Sequence, residues 1–187
     1  CDITAEEVRE MSPSAIILSG GPASVNAEDA PRVDPAIYEL GVPVLGFCYG
    51  HQITAVTLGG TVFHPEVGEY GPATLHVEGG ALFEGTPTEQ TVWMSHFDAV
   101  HDVPEGFTVV ASTDVCPVAA MENAEKRIYT TQFHPEVKHT EFGQQILSNF
   151  LFNVCKLEKN WSMDNLVETM TAEFREKVGE DRVILAL

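Results

Sequence analysis

The stretch Val42-Pro-Val-Leu-Gly-Phe-Cys-Tyr-Gly-His-Gln-Ile-Thr-Ala-Val-Thr-Leu58 decides the fold. Residues 42–47 are a short apolar run, suited to a strand buried on both faces, and 49–58 read as helix until Gly59-Gly60 stops it. Cys48 lies on the turn between them, with Gly46 and Gly50 two residues to either side. Strand, Gly-x-Cys-x-Gly and helix in that order make a nucleophile elbow. Small neighbours let the backbone turn sharply and leave the thiol exposed at the C-terminal edge of a sheet. The free N–H groups that open the helix favour the thiolate. A lone Gly-x-Cys-x-Gly fits a buried, inert cysteine equally well, so the rest of the chain has to choose.

Before the elbow, Ala15-Ile-Ile-Leu18 reads as a second buried strand, ending in Ser19-Gly20-Gly21-Pro22. Thr4-Ala-Glu-Glu7 is a capping box that opens a short helix with Val8 and Met11 on its apolar side. Asp34-Pro35 starts another helix. Alternating helices and buried strands predict an α/β fold: an open, doubly wound, mostly parallel sheet of flavodoxin type. Beyond the elbow, β-like runs at 61–67, 73–77, 91–94, 108–111, 118–121 and 127–133, punctuated by Gly, Pro and Asp, predict added antiparallel strands. Helix is expected over 139–155, then from a Ser162 cap to Val178, with a strand at 182–187.

The 187 residues carry 28 acidic and 10 basic side chains, a net charge of −18, and 44% are hydrophobic. That is enough apolar material for a core, and the acidity excludes gripping nucleic acid or an anionic membrane as the main task. Residues 1–155 hold 21 of the acidic and 5 of the basic residues, and none of the latter lies between Arg32 and Lys126. Four cysteines at 1, 48, 116 and 155 form no CxxC, so neither a zinc site nor a redox motif is expected, and a reducing cytoplasm is the default. A domain boundary is expected at 155, with 156–187 as linker, helix and strand of a second domain. The first residue is Cys1 rather than Met, which reads as a piece of a longer chain.

A thiol nucleophile needs a base. The pentapeptide Phe-His-Pro-Glu-Val occurs twice, at 63–67 and 133–137. In extended chain, positions i and i+2 share a face, so Glu136 can reach the ring of His134 and fix its tautomer. His64 and Glu66 satisfy the same argument, and local chemistry does not separate the copies. Backbone N–H groups of Gly21 and Tyr49, at the ends of two neighbouring strands, can converge on an oxyanion.

Ser19-Gly-Gly-Pro22, Gly46-Phe-Cys-Tyr-Gly-His-Gln52, Trp93-Met-Ser-His96 and Phe133-His-Pro-Glu-Val137 follow one another in the order that resembles class I, triad-type glutamine amidotransferases. The resemblance covers essentially the whole chain. It implies that Cys48, His134 and Glu136 are the triad, that Gly21 and Tyr49 form the oxyanion hole, and that Gln52, Ser95 and His96 contact L-glutamine. It chooses the second pentapeptide over the first.

Glu69-Tyr-Gly71, Trp93-Met-Ser-His96 and Cys155 with Trp161-Ser-Met163 resemble the branch whose ammonia passes to a synthetase domain. There, ATP with Mg²⁺ adenylylates XMP before amination in purine biosynthesis. By that resemblance a strand–helix–strand unit precedes Cys1, residues 156–187 begin an ATP-pyrophosphatase domain, the ATP and metal sites lie beyond Leu187, and the full-length protein is a homodimer. The fragment itself is expected to need no cofactor and no metal.

Three residues depart from the family pattern: Gly68 replaces Arg, His51 replaces Met, and Phe97 replaces a Gly whose positive φ would strain it. The competing readings are a cysteine hydrolase or peptidase on a similar fold, and a non-catalytic glutamine- or partner-binding remnant.

Overall fold

The structure, a computed structural model, describes residues 3–65, 67–160, 163–179 and 181, with backbone only at 163–165. In chain order the elements are α1 (Ala5–Met11), β1 (Ile16–Leu18), a 3₁₀ turn (Pro35–Glu39), β2 (Val44–Phe47), α2 (Tyr49–Thr57), β3 (Thr61–Phe63) and β4 (Glu69–Val77). A 3₁₀ turn (Ala81–Phe83), β5 (Glu89–His96), β6 (Ala99–Asp102), β7 (Thr108–Ser112), β8 (Ala120–Asn123) and β9 (Ile128–Thr131) follow. α3 (Gly143–Ser148) runs into a π-helical turn (Asn149–Val154), and α4 spans Met163–Val178. The chain divides into two units, Cys1–Leu157 and Glu158–Leu187. The expected Ser162 cap and the strand at 182–187 lie outside the described residues.

The capping box forms as its residues dictate. Thr4 Oγ accepts from the Glu7 N–H at 3.3 Å, and Glu7 Oε2 accepts from the Thr4 N–H at 2.8 Å. Asp34 caps two elements at once, accepting from the N–H of Ala5 at 2.8 Å and of Ala36 at 3.0 Å. These two bonds hold its carboxyl below the usual range. The segment after Asp34 closes as a 3₁₀ turn rather than the expected α-helix.

One seven-stranded sheet has the order β1-β2-β9-β8-β7-β4-β5, with β3 and β6 forming a separate antiparallel pair. β1, β2 and β9 are parallel, in the register Leu18↔Gly46↔Thr130, and β2 and β9 are buried at every position. The remaining sheet pairings are antiparallel. The fold is α/β as expected, and its sheet is mixed, with three parallel strands at one end of the order and an antiparallel extension that is the larger part of the described sheet. Leu45, Phe47, Phe133, Ile146 and Phe150 pack one face of the parallel strands, and Tyr38, Val44 and Ile128 the other. Full burial of each such side chain contributes about 1.5–3 kcal/mol.

Two elements differ from expectation. β6 is a strand of four residues for which the sequence predicts none. The helix expected over 139–155 starts only at Gly143, because residues before it fold back as turns. A Cβ at Gly143 would stand 2.1 Å from the Pro135 carbonyl oxygen. It then widens to a π turn at Asn149, whose buried amide donates to the carbonyls of Leu82 and Glu84, both at 2.8 Å. Among the described residues, no helix is long and apolar enough to cross a membrane.

Candidate active site

β2 delivers Cys48 to the end of the parallel strands at φ 55° and ψ −110°, a conformation costing about 1–3 kcal/mol for a side chain other than glycine. Hydrogen bonds hold it there. The Cys48 N–H donates to the Thr131 carbonyl at 2.9 Å, and the Cys48 carbonyl accepts from the N–H of His51 and Gln52 at 3.1 and 3.2 Å. Both flanking glycines are sterically required. A Cβ at Gly50 would lie 1.9 Å from the Leu18 carbonyl oxygen, and one at Gly46 would lie 2.6 Å from that of Gly50. Only glycine lets α2 begin this close to β1.

β9 lies beside β2, so the loop after β9 brings His134 to Cys48. The backbone of His134 is fixed on both sides: its N–H donates to the Trp93 carbonyl at 3.1 Å, and its carbonyl accepts from the Thr140 hydroxyl at 2.6 Å. Nδ1 is 2.7 Å from Glu136 Oε1. The neighbouring Cys48 side chain, opposed by burial and supported by Glu136, raises the pKa of the ring from 6.5 to about 9. Glu136 reaches the ring from a turn, not from the extended chain assumed above. The Cys48 thiol points its Sγ within 3.7 Å of the Ser95 carbonyl. A Cβ at Gly20 would stand 3.0 Å from His134 Cε1 and 3.7 Å from Cys48 Sγ, and one at Gly21 would touch Tyr49 at 3.8 Å. Cys48, His134, Glu136, Gly21 and Tyr49 therefore converge.

The site opens into a cleft of about 460 Å³, lined among others by Gly21, Ser24, Cys48, Gln52, His64, Ser95, Phe97, Asp98 and His134. Gln52 is buried, and its Nε2 donates to the Asp98 carbonyl at 2.7 Å and to Gln132 Oε1 at 3.1 Å. His96 is equally occupied, with Nδ1 donating to the Asp98 carbonyl at 3.0 Å and Nε2 lying 3.3 Å from Glu69 Oε2. Both side chains thus brace the loop 95–98 from behind while bordering the cleft. Asp98 is a site residue that the sequence does not single out. Its buried carboxylate takes His64 Nδ1 at 2.6 Å on one oxygen and the Ser24 hydroxyl on the other. Its only signal is its place two residues after His96.

The three departures from the family pattern have physical descriptions. Phe97 is not strained: among the described residues, the non-glycine positions with positive φ are Ser12, Cys48, Arg127 and Lys156. Its ring stacks on His64, with centroids 4.1 Å apart and planes 19° from parallel. Gly68 lies beneath it, where a Cβ would meet the His96 carbonyl oxygen at 2.8 Å and the Phe97 ring at 3.0 Å. His51 is fully buried and donates Nε2–H to the Val118 carbonyl at 3.1 Å, while Nδ1 accepts from Thr130 at 2.7 Å. Burial pushes its pKa down to about 3, so it stays neutral and adds no charge beside the nucleophile. Glu69, His96 and Cys116 bring one ligand-capable atom each within 4.8 Å of the others. Burial, then Glu69, pushes the Cys116 thiol up to about 12, so it is an inert thiol in a hydrogen-bonded network.

A strained cysteine on a strand–helix turn, a histidine locked beside it and a carboxylate behind the histidine are an arrangement suited to thiol-dependent acyl transfer. The sequence profile of the class-I glutamine amidotransferase family matches residues 1–154, and the chain belongs to that family. It is 51% identical over 183 residues to the GMP synthase [glutamine-hydrolyzing] of Clostridium acetobutylicum, covering 97% of this chain and 36% of that protein. It is 55% identical over 183 residues to that of Streptomyces avermitilis, covering 97% of this chain and 35% of that protein. The chain therefore spans about a third of the length of these relatives. Among solved structures, a Thermoplasma acidophilum protein described as a GMP synthase subunit superposes with a TM-score of 0.71 at 31% identity, over 91% of this chain and 81% of that one.

Proposed function

We propose that this chain is the glutaminase part of a GMP synthase. The carrying observation is the Cys48–His134–Glu136 constellation at the mouth of the cleft. Cys48 thiolate attacks the side-chain carboxamide carbon of L-glutamine. The developing oxyanion meets the N–H groups of Gly21 and Tyr49, each contributing about 3 kcal/mol. Imidazolium His134 protonates the departing nitrogen, ammonia leaves, and a γ-glutamyl thioester remains. Neutral His134 then takes a proton from water, which attacks the thioester, releasing glutamate and returning the thiolate and imidazolium. Glu136 keeps the ring oriented and favours its charged form. The strained backbone at Cys48 holds the thiol out of the sheet and in the path of the substrate.

The remainder of the protein would consume the ammonia. In this reading residues 1–155 are the glutaminase domain, and 156–187 open a synthetase domain that uses ATP with Mg²⁺ to activate XMP for amination to GMP. Those substrates, and any second copy of the protein, meet that remainder, in the cytoplasm. No residue of the glutaminase domain is asked to bind them.

The test is glutamate release by the full-length protein supplied with glutamine, XMP and ATP, together with labelling by a glutamine-like electrophile. Modification at Cys48 that requires His134 supports the reading. A full-length protein that releases no glutamate, or is labelled at another cysteine, refutes it.

A further inference from the structure

β9 ends at Thr131, and beyond that end His134 is held by a different strand. β5 stands last in the seven-stranded order, so one of its edges has no strand partner among the described residues. Opposite Trp93 on β4 stands Pro72, which has no N–H to give, and Trp93 turns its own backbone groups outward. Backbone groups two residues apart on a strand face the same edge, which on β5 groups Thr91, Trp93 and Ser95. The Thr91 carbonyl accepts from the Glu141 N–H at 3.0 Å, and the Thr91 N–H donates to Glu141 Oε2 at 3.3 Å. The Trp93 carbonyl accepts from the His134 N–H at 3.1 Å, and the Ser95 carbonyl lies 3.7 Å from Cys48 Sγ. One strand edge thus meets the nucleophile and the segment that carries the base.

The Trp93 N–H is left over. A continuous strand would meet it with a carbonyl, but the chain after His134 turns away, and Thr140 supplies a hydroxyl instead. Its Oγ accepts from the Trp93 N–H at 3.1 Å and donates to the His134 carbonyl at 2.6 Å, so the hydroxyl both accepts and gives. Thr140 is 5% exposed, and its backbone is fixed by bonds to the Val137 carbonyl at 3.1 Å and from the Gly143 N–H at 3.2 Å. His134, Trp93 and Thr140 therefore close a ring of three hydrogen bonds around the backbone of the base.

We propose that Thr140 is a positioning residue for the base: its hydroxyl ties the His134 carbonyl to β5, the strand that also sets Ser95 against Cys48, and so fixes where the imidazole stands relative to the thiol. Glu136 orients the ring about its bonds, and Thr140 locates the backbone from which the ring projects. The proposal rests on the glutaminase reading above and adds a residue that touches neither the substrate nor the reacting atoms. Thr140 is not among the described residues that line the cleft, so its removal acts on the chemical step and not on glutamine binding. A misplacement of about 1 Å at a reacting group costs up to about 10²-fold in rate.

The test measures glutamate release by the full-length protein supplied with glutamine, XMP and ATP. Thr140→Ala leaves the Trp93 N–H and the His134 carbonyl unpaired; it lowers kcat about tenfold and keeps KM for glutamine within about twofold. Thr140→Val, which puts a methyl where the hydroxyl stood, loses at least as much. Thr140→Ser keeps the hydroxyl and stays within about twofold of the parent. In Thr140→Ala the alkaline fall in rate also moves to lower pH, because His134 owes its raised pKa first to Cys48 and loses part of that support. Glu141→Ala loosens the same segment at Thr91, away from His134, and keeps kcat within about twofold. A parental Tm and parental GMP formation from added ammonia show that each variant is folded. An unchanged kcat in Thr140→Ala, a loss carried by KM, an unmoved pH profile, or an equal loss in Thr140→Ser or Glu141→Ala overturns the proposal. A parent that releases no glutamate overturns the glutaminase reading, and this proposal with it.

Discussion

The pentapeptide Phe-His-Pro-Glu-Val stands at 63–67 and again at 133–137, and the fold surrounds the two copies differently. Phe133 is fully buried in the main core, whereas Phe63 lies edge-on to the partly exposed His101. The side chain of His134 is 18% exposed and that of His64 is 66% exposed. Each histidine has a carboxylate on Nδ1, but His134 takes it from Glu136 two residues on, and His64 takes it from Asp98 thirty-four residues on. Glu66 lies outside the described residues. The difference traces to strand neighbours. β9 lies beside β2 and so meets the strained Cys48, while β3 pairs with β6, directly after Asp98. Identical side chains thus gain different partners according to what the adjacent strand carries.

The sharpest way to break this comparison is to remove the thiol. Cys48→Ala in the full-length protein should lower glutamate release by about 10³-fold or more while leaving GMP formation from added ammonia unchanged. Equal loss of both activities would contradict the division of labour between the parts. Next comes the histidine pair. His134→Ala should lower kcat by about 10²–10⁴-fold, whereas His64→Ala should leave kcat within about twofold, as steady-state assays of the two variants will report. A kcat loss at His64 rather than His134 would exchange their roles.

Glu136→Gln should have a smaller effect, about tenfold on kcat, because the carboxylate orients and charges the ring without touching the reacting atoms. Its diagnostic is the pH profile. His134 has its pKa raised from 6.5 to about 9, so the stabilisation of its charged form is complete below pH 6.5 and is lost as pH rises through about 9. Removing Glu136 withdraws one of the causes, and the alkaline fall in glutaminase rate should move to lower pH. An unmoved profile would assign the shift to Cys48 alone. The smallest effect belongs to Phe97→Ala, which frees the His64 ring. It should raise KM for glutamine about two- to threefold with no change at Cys48, measured by alkylation rate, because a side chain left free at the rim of the cleft must be ordered on binding.

The centre of the fold was legible because its signals are local. Gly46 and Gly50 around Cys48 announce a turn that only glycine permits, and Thr4 with Glu7 announces a helix start. The choice of His134 over His64 as the neighbour of Cys48 came from the family resemblance, because the two pentapeptides are locally identical. Asp98 was not legible, because its carboxylate gains meaning only from His64 and Ser24, distant along the chain. The late start of α3 was hidden for the same kind of reason. The spacing of Phe142, Ile146 and Phe150 is helical, but the close approach of Gly143 to Pro135 and the pull of Asn149 on two distant carbonyls are tertiary facts. Gly68 and Phe97, read singly, suggest a lost charge and a strained loop. Together they are one packing solution, in which the absence of a side chain at 68 makes room for the ring at 97.

The parallel ladder of β1, β2 and β9 carries a consequence for how such a site can change over evolutionary time. Gly20, Cys48 and His134 each follow the end of one of these adjacent strands, whose registers are locked as Leu18↔Gly46↔Thr130. Strands can slip past one another only by whole residues, and a slip of one turns every side chain to the opposite face. The separation of Cys48 and His134 is therefore quantised, with one value set by the register and no continuum of slightly shorter or longer ones. Gradual adaptation is confined to the rim, where Ser24, His64, Phe97 and Asp98 can be exchanged without moving the strands. Substrate preference in this chain can drift while its reaction stays fixed.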